Sequence, residues 1–393
     1  MFRGLMGTKR EWVMKEMVSN FVFLQGKYGF IPNFNTPIGL GRSQPPFLSS
    51  MIIDTYNNYY KKYQKSEVGK FAFHLTGHKS WLWKSFVQAK QEYENVWIDK
   101  ECWFNHSVEG FDLARYGDQD VGNVSSSEIE SGWDFTSRYY NRCNEFLPID
   151  LNVYLYKYEQ DFVQISRHLQ DKKEEEHWKK WQEARKKDIN EKMWSEKRGF
   201  YFDFCYTWKR HSDFLSLAGF TPMWAGMATS EQAERMVRKL PEFETEYGLT
   251  ITAKESLAPK VDLSRVSEWY RKSLEDVLRP KQWDYPNIWA PLEYLTVVGL
   301  LKYGYVDDAK RIMDKSVRAN AVNFRKYGTF FEKWNGETGD KPASFNYESQ
   351  EGFGWTNAVF YRYTQLLDAI VAGENIYNQP KEGKPPYALA VIH

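Results

Sequence analysis

The sequence predicts an all-helical protein, and three observations carry that prediction. Apolar residues recur at helical spacing through most of the chain, and loops rich in Gly, Pro and Asn cut the pattern about every 15 to 25 residues. No linker-like stretch divides the chain internally. The expected organisation is therefore a series of antiparallel helix pairs in one domain, residues 1–372, followed by a loose tail, 373–393, marked by PKEGKPP.

Taken in order, FRGLMGTKREWVMKEMVSNFVFL opens the chain with Val13, Met17, Phe21 and Leu24 spaced as one helix face. From Asp171 to Arg198, Trp178, Trp181, Ile189 and Met193 gather near one face while Lys and Glu cover the remainder, which reads as a solvated helix face rather than a binding patch. Gly199 to Tyr206 (GFYFDFCY) alternates like a strand and predicts a small β-hairpin insertion. Helix pairs resume with Ser230 to Leu240, Leu292 to Tyr303 and Val306 to Ala319.

Charge balance excludes several partners. The 393 residues hold 53 Lys and Arg against 52 Asp and Glu, so the chain lacks the broad positive field that nucleic acids or anionic lipids require. No apolar run approaches the roughly 20 residues of a membrane span. The three cysteines, Cys102, Cys143 and Cys205, are too few and too scattered for a disulfide framework or a zinc knuckle. The seven histidines show no HExxH spacing, and neither GHKS at Gly77 to Ser80 nor any GxGxxG makes a phosphate loop, so no metal or cofactor is expected. No signal peptide precedes the first helix, which favours the cytoplasm for the chain as it stands, with a secreted or periplasmic location the alternative if the N-terminus is truncated. Oligomeric state is not legible.

The chemistry is concentrated in loops. Gln282 to Pro291 reads QWDYPNIWAP, two Trp, a Tyr, a carboxylate and two amides within ten residues. Aromatic faces cover the C–H surface of pyranose rings, and carboxylates and amides bind their hydroxyls, so the stretch reads as a sugar-facing loop. GRSQPP at Gly41 to Pro46, ESGWDFTSR at Glu130 to Arg138, and the run from FFEKWN to EGFGWTN between Phe330 and Asn357 likewise set charged groups or amides among aromatics. Glycoside hydrolysis needs one carboxylic acid to protonate the leaving oxygen and one carboxylate to activate water or attack the anomeric carbon.

Together with IPNFNTPIGLGRSQPP and FLPIDLN, these loops resemble the trehalases of glycoside hydrolase family 37, in the same order from about Trp12 to Leu367. The resemblance implies an (α/α)6 toroid with a central site, no cofactor, and inverting hydrolysis of a small-molecule α-glucoside, α,α-trehalose first. It matches Asp134 to the general acid and Glu332 to the general base. Asn33, Arg42 and Gln44 match sugar contacts in the first loop, and Gln282, Trp283, Asp284 and Asn287 fall in the second signature. Arg115, Trp133, Asn346, Phe353 and Trp355 complete the expected substrate-binding set. An inverting pair stands roughly 6.5 to 9.5 Å apart to admit a water, and an aromatic wall including Trp133 would keep Asp134 protonated.

Three departures accompany the resemblance. The family's PGGRF and WDSYF stretches are absent, so the chain is expected to begin just after them and to lack the first toroid helix. Where an RPES-like segment is usual, Arg115-Tyr116 is followed by GDQDVGNVSSSEIE. Asn346-Tyr347 stands where Glu-Tyr is usual, which alters the contacts expected for the second glucose. These departures leave two alternatives beside trehalose hydrolysis: a hydrolase of another small α-glucoside, glucosylglycerate-like, or a degenerate carbohydrate-binding member.

Overall fold

The computed structural model describes residues 2–60, 77–117, 124–257, 280–342 and 347–374. The expected tail from residue 375 onward lies outside the described residues, as do 118–123 of the segment that replaces the RPES-like motif. The described helices are α1 (Trp12–Tyr28), α2 (Leu48–Thr55), α3 (His78–Glu92), α4 (Val124–Glu130), α5 (Ile149–Leu169), α6 (Lys172–Met193), α7 (Thr221–Ala225), α8 (Ser230–Val237), α9 (Ala290–Lys302), α10 (Val306–Tyr327) and α11 (Gly354–Val371).

They divide into inner and outer helices by what they bury. In α9 all residues from Leu292 to Leu301 are buried, and α5 buries Ile149 to Glu159 without a break, so both are enclosed on every side. Helix α6 buries only Trp178, Arg185, Ile189 and Met193, its charges facing outward as the sequence implied. It starts where the Asp171 carboxylate accepts the Glu174 N–H at 3.0 Å. Helix α10 carries Asp307 and Asp308 in its first turn and Arg325 and Lys326 in its last, each opposing the helix dipole, and ends at Gly328 with φ of 73°.

The packing closes a ring. Helix α5 packs on α2, α6 and α7, α9 on α7, α10 and α11, and α11 returns against the one-turn helix Phe2–Leu5 ahead of α1. A Cβ on Gly4 would lie 2.6 Å from that of Ala358, so only glycine lets this turn seat on α11. On α1 the fully buried line is Met14, Val18 and Gln25, whereas Val13, Met17, Phe21 and Leu24 are half-buried. The helix lies between α2 and α3, so two adjacent stripes share the burial and the apolar spacing alone marks the less covered one.

Strands are short and serve the loops. The Gly199–Tyr206 stretch supplies one strand to each of two hairpins: Phe200–Tyr201 pairs with Trp194–Ser195, and Phe204–Cys205 with Arg210–His211 and with Phe146–Leu147. Two further strands, here β1 (Asn287–Ile288) and β2 (Trp334–Asn335), pair antiparallel with Asn287 opposite Asn335 and Ile288 opposite Trp334. This ladder brings the QWDYPNIWAP loop and the FFEKWN loop side by side.

Candidate active site

Four loops meet at one end of the ring, each tied to the next. The first, Pro32 to Gln44, is braced on α4: the Ser43 N–H donates to Glu130 Oε1 at 3.0 Å, and Glu130 also accepts from Gly117 N at 2.8 Å and holds His106 Nε2 at 2.9 Å. Asn33 uses its amide on Ser43 O at 3.0 Å and its carbonyl on the Gln44 side chain, so both close the loop on itself. Arg42 donates to Ser126 Oγ on α4 at 3.0 Å. Gln44 lines a cavity of about 350 Å³ together with Trp133, Trp283 and Trp355.

In the second loop, Gly132 (φ 73°) and Phe135 (φ 64°) bracket Trp133 and Asp134. A bulky residue in the left-handed region costs on the order of 1–3 kcal/mol and persists only where its surroundings impose it. Here Phe135 O accepts the Trp283 N–H at 3.2 Å and Thr136 N donates to Glu128 Oε1 at 2.6 Å. The turn leaves Asp134 half-buried, with Gln282 Nε2 donating to its Oδ2 at 3.0 Å and to its backbone O at 2.8 Å. Burial raises the Asp134 carboxyl above the usual carboxylate range, and the negative charge of Glu332 adds to the rise.

The third loop supplies the apolar wall. Trp283 stacks on Trp289 with centroids 3.6 Å apart, and Trp133 packs 5.3 Å from Trp283. Trp355, braced by Phe353 at 4.4 Å, closes the cluster edge-on to Trp289 at 5.7 Å.

Glu332, in the fourth loop, is 5% exposed. Lys333 Nζ lies 2.7 Å from its Oε2, and Tyr347 Oη donates to the same carboxylate at 2.8 and 3.0 Å. The Glu332 backbone carbonyl accepts from Trp355 Nε1 at 2.7 Å, which fixes Glu332 to the start of α11. Lys333 also donates to Gln282 Oε1 at 3.3 Å, so a continuous hydrogen-bonded path runs from Asp134 through Gln282 and Lys333 to Glu332.

Several expected sugar contacts have other roles. Asp284 is fully buried and accepts from Thr136 Oγ1 at 3.1 Å, Ser137 N at 2.9 Å, Ser137 Oγ at 2.7 Å and Lys281 N at 2.8 Å. Four donors occupy its two oxygens, so it binds the third loop to the second rather than a substrate hydroxyl. Asn287, also fully buried, donates to Gln282 O at 3.0 Å and positions that residue instead. Arg115 donates to the carbonyls of Asn105 and Asn144 and to Tyr206 Oη at 2.7 to 2.9 Å, and none of these partners belongs to the Asp134–Glu332 cluster. Asn346 lies outside the described residues.

Sequence reasoning missed Lys333 and Tyr347, which hold the Glu332 carboxylate, and Arg138, which supports the loop that carries Asp134. Arg138 is fully buried, donates to Asp150 and Asp203 at 2.7 to 2.9 Å, and sets its guanidinium 4.4 Å over the Trp133 ring. Adjacent residues in an extended segment usually face opposite ways, so Lys333 beside Glu332 carries no signal of pairing. Among the described residues no group of three or more His, Cys, Asp and Glu is placed to hold a metal ion, and no helix is long and apolar enough to cross a membrane.

Known proteins resemble this chain in sequence and in fold. A probable trehalase of Eremothecium gossypii is 29% identical over 98% of this chain and 59% of its own length. The cytosolic neutral trehalase of Saccharomyces cerevisiae is 29% identical over 91% of this chain and 53% of its own length, so the chain spans little more than half of these curated relatives. The solved structure of neutral trehalase from Saccharomyces cerevisiae superimposes with a TM-score of 0.76 at 26% identity, covering 95% of this chain and 72% of that one. A mannosylglycerate hydrolase of Thermus thermophilus in complex with glucose shares the fold, with a TM-score of 0.62 at 16% identity over 92% of this chain and 90% of its own. The closed ring of helix pairs is thus the six-hairpin glycosidase toroid. The trehalase family profile matches residues 1–368, over two-thirds of which the described loops and helices account for, and the chain belongs to the trehalase family.

Proposed function

We propose that this chain hydrolyses α,α-trehalose to two glucose molecules by a single displacement with inversion. Asp134 is the general acid and Glu332 the general base, and the reading takes residues 1–372 as one catalytic unit. Asp134 gives its proton to the glycosidic oxygen as that bond breaks, while Glu332 takes a proton from the water that attacks the anomeric carbon from the opposite face. The observation that carries the reading is the contrast between the two carboxyls. Burial and the charge of Glu332 raise the Asp134 carboxyl, whereas Glu332 is held by two donors, Lys333 Nζ at 2.7 Å and Tyr347 Oη at 2.8 Å. Trp133, Trp283, Trp355 and Gln44 line one cavity, whose lining includes neither Asp134 nor Glu332; we assign the three rings as the apolar wall for a pyranose and Gln44 as a hydroxyl reader because Trp133 adjoins Asp134 in the chain and Trp355 bonds the Glu332 carbonyl.

Proton NMR of the first turnovers tests the proposal. Inversion of α,α-trehalose yields one β-glucose from the attacked ring and one α-glucose from the leaving ring, in equal amounts. Two α-glucose molecules per turnover would exclude inversion, and faster cleavage of another small α-glucoside would move the substrate assignment away from trehalose.

A further inference from the structure

Lys333 stands at the junction of the two carboxyl groups. It is fully buried, and its Nζ lies 2.7 Å from Glu332 Oε2 and 3.3 Å from Gln282 Oε1, with the Tyr347 and Trp289 rings 4.4 and 4.8 Å away. An ammonium group only donates, so the Gln282 atom that faces it is the amide oxygen. The amide nitrogen is thereby turned toward Asp134, where it meets Oδ2 at 3.0 Å and the backbone carbonyl at 2.8 Å. An amide N–H also only donates, so Oδ2 acts as an acceptor and the proton of the acid is left to Oδ1.

We propose that Lys333 is a positioning residue for both carboxyls: it orients the Glu332 carboxylate directly and, through the Gln282 amide, assigns the proton of Asp134 to Oδ1. The inference rests on the acid–base reading of the site. One buried cation then serves both halves of the reaction, orienting the base while selecting the oxygen from which the acid delivers its proton. The other titratable groups that face the pair among the described residues are Glu128, which lies near Asp134, and Tyr347, which donates to Glu332 and also bonds the Gln282 side chain. Tyr347 therefore shares the Gln282 bridge, and Lys333 is the member of it that brings a positive charge.

The test compares trehalose with α-D-glucosyl fluoride. In the fluoride, water bonds to the anomeric carbon, its proton passes to Glu332, and the C–F electron pair leaves with fluoride, so the step draws on the base and needs little from the acid. In the full chain, Lys333→Met is expected to lower kcat/KM for trehalose about tenfold more than for the fluoride. The limb of the trehalose pH profile set by the acid should also move to higher pH, because the Asp134 carboxyl loses a nearby positive charge that lowers it. Lys333→Arg keeps the charge and should leave the profile near its original position. Equal losses on both substrates with an unmoved profile would overturn the inference, since that is what loss of packing alone produces. If Lys333→Met does not fold, Gln282→Met removes the amide that joins Lys333 to Asp134 while leaving the direct Lys333–Glu332 contact, and a loss no greater on trehalose than on the fluoride overturns it equally. An unsubstituted chain that hydrolyses neither sugar would instead refute the hydrolase reading, an outcome distinct from any behaviour of the variants.

Discussion

Tyr347 Oη lies 2.8 Å from Oε2 and 3.0 Å from Oε1 of Glu332, so one phenol spans both oxygens of the carboxylate that we assign as the base. Burial and the Glu332 charge both raise the Tyr347 phenol, which keeps its proton and remains a donor. A hydrogen bond to a charged group contributes about 1.5–3 kcal/mol, so Tyr347→Phe should lower kcat/KM about 10- to 100-fold. Unchanged kcat/KM would show that the phenol does not act on the base.

Asp134→Asn and Glu332→Gln should each lower hydrolysis by about 10²- to 10⁴-fold, since each removes a proton transfer with little change in size. Their effects on stability should differ. Asp134 is half-buried and its neighbour Gln282 can pair with an amide, whereas Glu332→Gln leaves the buried Lys333 ammonium without its counterion. That loss should cost about 1–3 kcal/mol more in urea unfolding than Asp134→Asn. Equal stability of the two variants would mean that Lys333 is not held by Glu332.

How far the sequence was legible follows from what each residue does. Helix pairs and the aromatic loops were readable because helical spacing and aromatic density are local properties. Gln282 stands out in sequence because an amide within an aromatic loop is chemically conspicuous, and the fold sets it beside Asp134 and Lys333, but Asp284 and Asn287 share that chemistry and spend it on Thr136, Ser137 and the Gln282 carbonyl. Composition does not distinguish an acceptor that faces a substrate from one that faces a neighbouring loop. Arg115 is ambiguous for the same reason, its Nε and Nη1 donating to the Asn105 and Asn144 carbonyls and to Tyr206 rather than to the Asp134–Glu332 cluster. Lys333 and Arg138 were invisible because their partners, Gln282, Asp150 and Asp203, are distant in sequence and meet them only once the loops are folded.

Glu92 links stability to pH. It is buried on α3, accepts from Tyr158 Oη at 2.8 Å, and burial pushes its carboxyl up to about 7 from an ordinary value of 4.5. The folded state thus binds this proton more tightly than the unfolded chain. Its contribution is fully present below about pH 4.5 and is lost as pH rises through about 7, at about 1.4 kcal/mol per pH unit between them. Glu293, also pushed to about 7 by burial, acts in the same direction. Glu92→Gln carries no charge at any pH, so its unfolding free energy should fall less between pH 5 and pH 7.5 than that of the parent, by about 1–3 kcal/mol. Parallel curves for the two proteins would refute the assignment.

Arg138 bears on both stability and the acid loop. Its guanidinium makes four hydrogen bonds to Asp150 and Asp203, all buried, while its face covers Trp133, the residue before Asp134. The two carboxylates also accept backbone N–H groups, Asp150 from Leu151 at 3.0 Å and Asp203 from Ile149 at 2.9 Å, so they are anchored at the start of α5 and do not leave when the arginine is removed. Arg138→Met therefore strands two negative charges in the interior, at about 3–5 kcal/mol. Arg138→Lys restores a positive charge but has no planar fork to serve both partners, and should fall between parent and Met variant. The activity of the Lys variant separates the two roles. If Arg138 also supports Trp133 beneath the acid, kcat/KM falls in the Lys variant under conditions where it remains fully folded; if full activity persists there, Arg138 secures α5 and the hairpin without bearing on Asp134.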